Sequence, residues 1–441
     1  MRIKSVLASS AAIAAFATLA SVAPSGAASA EDIAVHAGAL LDGVSDTPRK
    51  QVTILIHDDR ITGIEAGFTQ PAGARVIDLS KQTVMPGFID CHIHIGAKLP
   101  SSTNATEDWV THSAIDRAFD AAVYARAMLQ QGFTSARDVG GGDETVSLRN
   151  AINDGKEAGP RLWVALEPLG PTAGHGDPRS GLDPDLSHPG WDNGIVNTVD
   201  DARIKVREHR RRGADLIKIM PSGGIASTGD NPRQQLMTND EIRTAIETAH
   251  ALGMKVAAHT YPSDAIDNTV KAGVDSIEHG SFASAETLAL MKARGTYLVP
   301  TLTVFEVFYA TARDHPELLT PGTAPKELAN DPLPKKNLPL ELKSGVKIAY
   351  GTDLGEGDHT MEFRLLIEGG MAPAAALAAA TRSAADLIGA SDRIGTVQTG
   401  RFADLTAVDG DPLQTPALFS RVSFVMKGGV VYRDGGKPTG R

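Results

Sequence analysis

Apolar residues in this chain come in short runs that stop at a polar or titratable residue and a turn, and stretches of helical periodicity follow them. Eight such runs read as strands, at 87–92, 134–139, 161–166, 214–219, 255–259, 276–279, 297–301 and 347–351. Amphipathic patterns at 113–131, 240–252, 263–272, 284–294 and 372–387 read as helices between them. Strand followed by helix, repeated, calls for a parallel sheet, and eight repeats predict a (β/α)8 TIM barrel over residues 86–394. The ends have a different texture. Residues 34–85 alternate in short segments such as Ile54-Leu55-Ile56 and Arg75-Val76-Ile77-Asp78, broken by turns at Asp58-Asp59 and Pro71-Ala72-Gly73. The same texture returns from Ile394, so residues 31–85 and 395–441 are expected to pair into a small β-sandwich. The proline-rich segment 313–339 is expected to be an irregular loop over the barrel mouth.

The first 30 residues carry a different signal. Arg2 and Lys4 precede an apolar stretch at 6–19, then small residues ending in Ala28-Ser29-Ala30. This reads as a secretory signal peptide with the mature chain starting at Glu31, and predicts an exported protein, periplasmic or secreted. The stretch is too short and weakly apolar for a membrane span. Cys91 is the single cysteine, which excludes an intramolecular disulfide; a large core needs none. On its strand it should face away from its histidine neighbours as an inert buried thiol.

Composition is that of an ordinary globular protein, 42% hydrophobic and 22% charged with a net charge of −10. That acidic balance gives no footprint for nucleic acid or an anionic membrane. Arg210-Arg211-Arg212, the densest basic run, reads as the solvated end of a helix.

The chemistry lies where the runs end. His92 and His94 are two apart on a strand, so both imidazoles project to one side, and imidazole nitrogen suits zinc. Lys218 stands inside Leu216-Ile217-Lys218-Ile219-Met220 on an interior strand. Taken alone it reads as a snorkelling or carboxylate-paired lysine, because a lone buried ammonium is costly. Beside metal-ligand candidates it reads as a neutral amine that has captured carbon dioxide, and a carboxylated lysine can bridge two cations. His259 and His279 end neighbouring strands and would complete a second metal. Asp353 would bind the first metal and act as general acid/base. The ions would lower the pKa of a bridging water and polarise the scissile carbonyl.

These motifs resemble the amidohydrolase superfamily, and within it the imidazolonepropionase-like branch that includes Xaa-Pro dipeptidases and ochratoxin-type amidases. The resemblance rests on Pro86-Gly87-Phe88-Ile89-Asp90-Cys91-His92-Ile93-His94, Arg137-Asp138-Val139-Gly140-Gly141, Lys218 followed by Ser222-Gly223-Gly224, Ala258-His259, Glu278-His279-Gly280, Gly351-Thr352-Asp353 and the tail Gly400-Arg401-Phe402-Ala403-Asp404-Leu405. It implies two divalent metal ions, here zinc: His92, His94 and Asp353 on one, His259 and His279 on the other, and carboxylated Lys218 between them. It also implies a homo-oligomer. Gly174-His175-Gly176-Asp177 matches a loop that faces the site in such enzymes, so His175 is a candidate to bind substrate, or else a turn histidine. Tyr261 is a candidate to polarise the carbonyl or hold a terminal carboxylate, or else a packing aromatic. Thr260-Tyr261-Pro262-Ser263 departs from the branch, which more often has a small residue and glycine there. The expected activity is hydrolysis of small amides with an amino-acid leaving group: dipeptides, N-acyl amino acids or ochratoxin-like aryl amides of phenylalanine. A cyclic amide hydrolase, a lactonase and a non-catalytic binder of metal or solute are the alternatives.

Overall fold

The computed structural model describes residues 31–45, 47–99, 102–330 and 332–439. The expected leader lies outside them. Four strands come first, β1 (Asp32–Leu40), β2 (Arg49–His57), β3 (Arg60–Ala66) and β4 (Arg75–Pro86). Eight follow in the centre: β5 (Phe88–Ile93), β6 (Phe133–Asp138), β7 (Arg161–Val164), β8 (Leu216–Ile219), β9 (Lys255–Pro262), β10 (Ser276–Phe282), β11 (Tyr297–Val299) and β12 (Lys347–Ile348). The chain ends with β13 (Leu405–Val408), β14 (Val422–Lys427), β15 (Val430–Asp434) and β16 (Lys437–Pro438).

The two ends of the chain share one eight-stranded sheet, ordered β16-β15-β14-β13-β4-β1-β2-β3. The reason is β4, 12 residues long. It pairs in parallel with β1 and, through its last residues, antiparallel with β13 in the register Leu405↔Pro86, so the ladder never breaks. Ile33, Val35, Ala37, Ile54, Ile56, Leu405 and Phe424 pack its apolar core.

The central strands form parallel arcs, β5-β6-β7 and β12-β11-β10-β9-β8, in a TIM-barrel-like α/β fold. Backbone hydrogen bonds cross both seams between the arcs. Leu169 N donates to Lys218 O and Met220 N to Leu169 O, each at 2.8 Å. Cys91 N donates to Tyr350 O at 2.8 Å and Asp353 N to His92 O at 2.7 Å. All six residues of β5 and all six of β6 are buried, as expected for parallel strands covered on both faces. Two of the surrounding helices start at full capping boxes. Ser113 and Asp116 form a capping box before Ala114–Gln130, as do Thr238 and Glu241 before Asn239–Ala251. Among the described residues no helix is long and apolar enough to cross a membrane.

Two segments differ from the sequence reading. Residues 313–339 are largely helical, in a short turn Pro316–Leu318 and helices Thr323–Asn330 and Pro332–Ser344. Pro316, Pro325, Pro332 and Pro334 fall in first turns, where the missing N–H has no intrahelical partner to lose, and only Pro339 sits deeper. The helical pattern at 372–387 is interrupted by a π-turn, Ala379–Ser383. Arg210 and Arg211 are solvated as expected, but Arg212 turns inward and donates to both Glu167 oxygens at 2.6 and 2.7 Å.

Candidate active site

The C-terminal ends of β5, β8, β9 and β10 converge with the turn after β12. His92, Lys218, His259 and His279 are all buried there, and the Asp353 side chain is 16% exposed. His94 lies one residue past β5, at the open side. Asp353 is held by its N–H on His92 O and by Asp90, whose carboxylate accepts from Thr352 N at 3.1 Å, Thr352 Oγ1 at 2.7 Å and His359 Nδ1 at 3.0 Å. Cys91 points the other way, into the apolar cluster of Ile89, Val299 and Ala384.

Asp353 Oδ1 is 3.2 Å from His92 Nε2 and 3.0 Å from His94 Nε2, and its Oδ2 is 4.0 Å from His279 Nδ1. One potential ligand atom each from His92, His279 and Asp353 fit within 4.8 Å of one another. His259 is adjacent, its ring centroid 4.7 Å from that of His279.

The Nδ1 of three of the four imidazoles is already committed. His92 Nδ1 meets Glu278 Oε2 at 2.8 Å, His94 Nδ1 meets Gly140 O at 3.0 Å, and His279 Nδ1 meets Thr301 Oγ1 at 2.7 Å. A carboxylate or carbonyl only accepts, so those nitrogens carry the proton and Nε2 of His92 and His94 is left with a lone pair. Two imidazole lone pairs and a carboxylate oxygen facing one another at about 3 Å repel unless a cation sits among them. Without one, the same convergence draws a proton to His94: burial lowers its basicity, but Asp353 more than reverses this. Burial also raises the Asp353 carboxyl, yet the adjacent His92 and His94 imidazoles hold it well below the usual carboxylate range.

Lys218 is the anomaly of this cluster. Its amine has one hydrogen-bond contact among the described residues, His92 Nε2 at 3.5 Å, and no carboxylate within 4.0 Å. Burial pulls it down to about 8, with Glu278 and Asp353 opposing and Arg137 assisting. An amine lowered to about 8 is neutral, and so open to carbon dioxide, more often than an ordinary lysine, and its carbamate would add an anion to this donor set. The residues present therefore fit a bound metal ion.

Backbone conformation shows what the site requires. His279, Thr301 and Asp353 have φ of 68°, 52° and 62°, in the left-handed region that non-glycine residues avoid, and each carries or holds a converging group. Gly140 cannot be larger, because a Cβ there would lie 2.6 Å from the His94 ring.

Both substrate candidates also lie here. Tyr261 is buried, its ring stacked 5.3 Å from His279 and flanked by Phe282 and Phe305. Burial, with Glu327, Asp353 and Asp230 nearby, pushes its phenol well above the usual range, so it stays a donor. The His175 ring stacks on His259 with centroids 4.1 Å apart. The sequence reading quoted Glu278 and Arg137 in motifs without giving them work. Glu278, fully buried, bridges His92 Nδ1 and Arg137 Nη2, each at 2.8 Å, and also accepts from Ser276 Oγ. A charged residue immediately before a strand-end histidine was the available signal.

A TIM-barrel-like α/β scaffold with strand-end histidines, a buried lysine and an aspartate at one mouth defines a class of hydrolases. The comparisons make this specific: the profile of the amidohydrolase family matches residues 83–432, and the chain belongs to that family. It is 33% identical over 431 residues to ochratoxinase of Aspergillus niger, covering 91% of this chain and 87% of that protein. A crystal structure of a Xaa-Pro dipeptidase with bound methionine in the active site superposes with TM-score 0.87 at 33% identity, over 91% of this chain and 100% of that one. A prolidase complexed with N-methylphosphonate-L-proline gives TM-score 0.84 at 32% identity, over 91% and 100%. The protein is an enzyme, a hydrolase.

Proposed function

We propose that this protein hydrolyses small amides whose leaving group is an amino acid, using two zinc ions. The observation that carries the reading is Lys218, a buried amine without an anion beside a convergence of lone pairs. His92, His94 and Asp353 would hold one ion, His259 and His279 the other, with carboxylated Lys218 between them. When bound, the ions supply Lewis-acid polarisation and an activated water. Glu278, Gly140 and Thr301 keep the imidazoles in the ligating tautomer. Asp353, kept ionised and beside the reacting centre, takes the proton of the attacking water and delivers it to the departing amine nitrogen. Tyr261, kept protonated, donates to the substrate carbonyl or to a terminal carboxylate. His175 contacts the substrate from the side of His259.

The substrate class draws support from the relatives, an ochratoxinase, a dipeptidase that holds methionine and a prolidase that holds a proline phosphonate. The same reading takes residues 86–394 as one closed (β/α)8 barrel, supported by hydrogen bonds across both seams, with residues 31–85 and 395–441 as its companion domain. It also takes the enzyme as exported and homo-oligomeric.

The test is a product screen. Protein loaded with zinc and bicarbonate is incubated with dipeptides, N-acyl amino acids, an aryl amide of phenylalanine, a cyclic amide and lactones, and release is followed by mass spectrometry. Cleavage of amides bearing a free C-terminal carboxylate is expected. Cleavage confined to lactones or to the cyclic amide would overturn the substrate class.

A further inference from the structure

We propose that Ser227, Asp230 and Lys326 are positioning residues that lock the His175 ring over the catalytic centre in a single tautomer; this rests on the amide-hydrolase reading for its kinetic consequence only. None of the three was visible as a site residue in the sequence, and they come from two distant segments. His175 belongs to the turn after β7. Three surfaces hold its ring: the His259 imidazole 4.1 Å away, the Gly224 backbone, and Ser227 Oγ, 2.8 Å from Nδ1. The fit at Gly224 is so close that a Cβ there would lie 1.9 Å from His175 Nδ1.

Behind Ser227 the chain of partners continues. Ser227 Oγ lies 2.6 Å from Asp230 Oδ1, and Asp230 Oδ2 accepts from Gly224 N at 2.8 Å. Lys326, on helix Thr323–Asn330, donates to Asp230 Oδ1 at 3.0 Å, to Gly224 O at 2.8 Å and to Ser227 O. The Asp230 side chain is 1% exposed, so its charge depends on this lysine. Proton directions follow. Asp230 only accepts, so the Ser227 hydroxyl proton goes to it at 2.6 Å in preference to Gly224 O at 3.4 Å. The Ser227 lone pairs must then receive Nδ1–H of His175. Nε2 is left as a lone pair with no protein partner among the described residues, available to an N–H of the bound amide. Lys326 thus ties the helix beyond β11 to the loop after β8, and that loop to the ring.

The experiment is a double-mutant cycle in the full zinc-loaded enzyme, with metal content measured for every variant, using an amide cleaved in the product screen. Ser227→Ala should lower kcat/KM by up to about 100-fold at unchanged metal content, as misplacement of a positioned group does. Ser227→Thr, which keeps the hydroxyl, should recover most of the loss. His175→Ala should fall at least as far, and His175→Ala/Ser227→Ala no further, since Ser227 acts through His175. Lys326→Met should lower kcat/KM alone and be silent in the His175→Ala background. Full activity in Ser227→Ala, or additive losses in the double variants, would overturn the proposal. A second arm needs no turnover: nitrogen NMR of labelled histidine, with His175 assigned by its loss in His175→Ala. A ring protonated at Nδ1, with that tautomer lost in Ser227→Ala, supports the relay even if no amide is cleaved, in which case only the functional reading falls. A ring protonated at Nε2 alone overturns it.

Discussion

Replacing Glu278 by glutamine tests the geometry behind the metal-ligand assignment. Glu278 is fully buried and accepts from His92 Nδ1, from Arg137 and from Ser276, and Arg137 has a side chain only 3% exposed. Glutamine has nearly the same shape but brings an NH2 group that can only donate. If its oxygen faces Arg137, the NH2 meets His92 Nδ1, which must give up its proton; Nε2 then carries it and can no longer bind a metal. If the oxygen faces His92, the NH2 meets a buried guanidinium that has lost its counter-ion. Breaking a buried pair from one side costs about 3–5 kcal/mol. Losing the partner that orients a metal-ligating histidine lowers metal affinity about 10- to 100-fold. Urea denaturation of the metal-free protein reads the first outcome, and competitive zinc titration reads the second. Stability within about 0.5 kcal/mol of wild type, the range of an ordinary surface change, together with unchanged zinc affinity would refute the reasoning.

Three further outcomes are expected. Asp353→Asn should fold normally, and in zinc-loaded form its kcat should drop by roughly 100-fold or more, the usual loss on removing a general base, so near-normal turnover in a fully metallated variant would take Asp353 out of that role. Lys218→Ala should lose bound zinc and activity together, with partial rescue by short carboxylic acids that replace the bridging anion; full activity without added acid would sink the carbamate. Burial holds the Glu341 carboxyl up at about 8 against an ordinary 4.5, with an Asn337 hydrogen bond opposing and Glu362 adding. The native state therefore keeps a proton that the unfolded chain releases, and this contribution to stability is lost as pH rises from 4.5 through 8. Glu341→Gln should match wild type at pH 4 and exceed it above pH 8 by on the order of a few kcal/mol. Urea denaturation curves that stay parallel across that range would contradict this.

Much of the candidate site could be read from the sequence because its converging side chains sit at strand ends, where an apolar run stopping at His, Lys or Asp marks both the strand and a candidate group. His92, His94, Lys218, His259, His279 and Asp353 do meet in space, and so do His175 and Tyr261. The rest depended on distance. Glu278 stood in plain view, but its partners His92 and Arg137 are far away in sequence. Ser227 and Lys326 are ordinary polar residues until the fold brings them to His175 and Asp230. Segment 313–339 was misread because prolines were counted without their positions in the helical turn. The pairing of the two ends was legible in their shared texture, whereas the one long strand that serves both partners leaves no mark in hydrophobic alternation.

The hydrogen bond from Asp353 N to His92 O and the pairing of Pro86 with Leu405 join parts of the chain that lie most of its length apart. Contacts so distant in sequence close late, because the intervening chain must already be compact before they are worth their entropy. On that argument the converging side chains would meet only as these distant contacts close, and folding intermediates would lack the donors to hold a metal tightly. Metal uptake in a refolding reaction should follow the slowest folding phase, which makes zinc occupancy a clock for the end of folding.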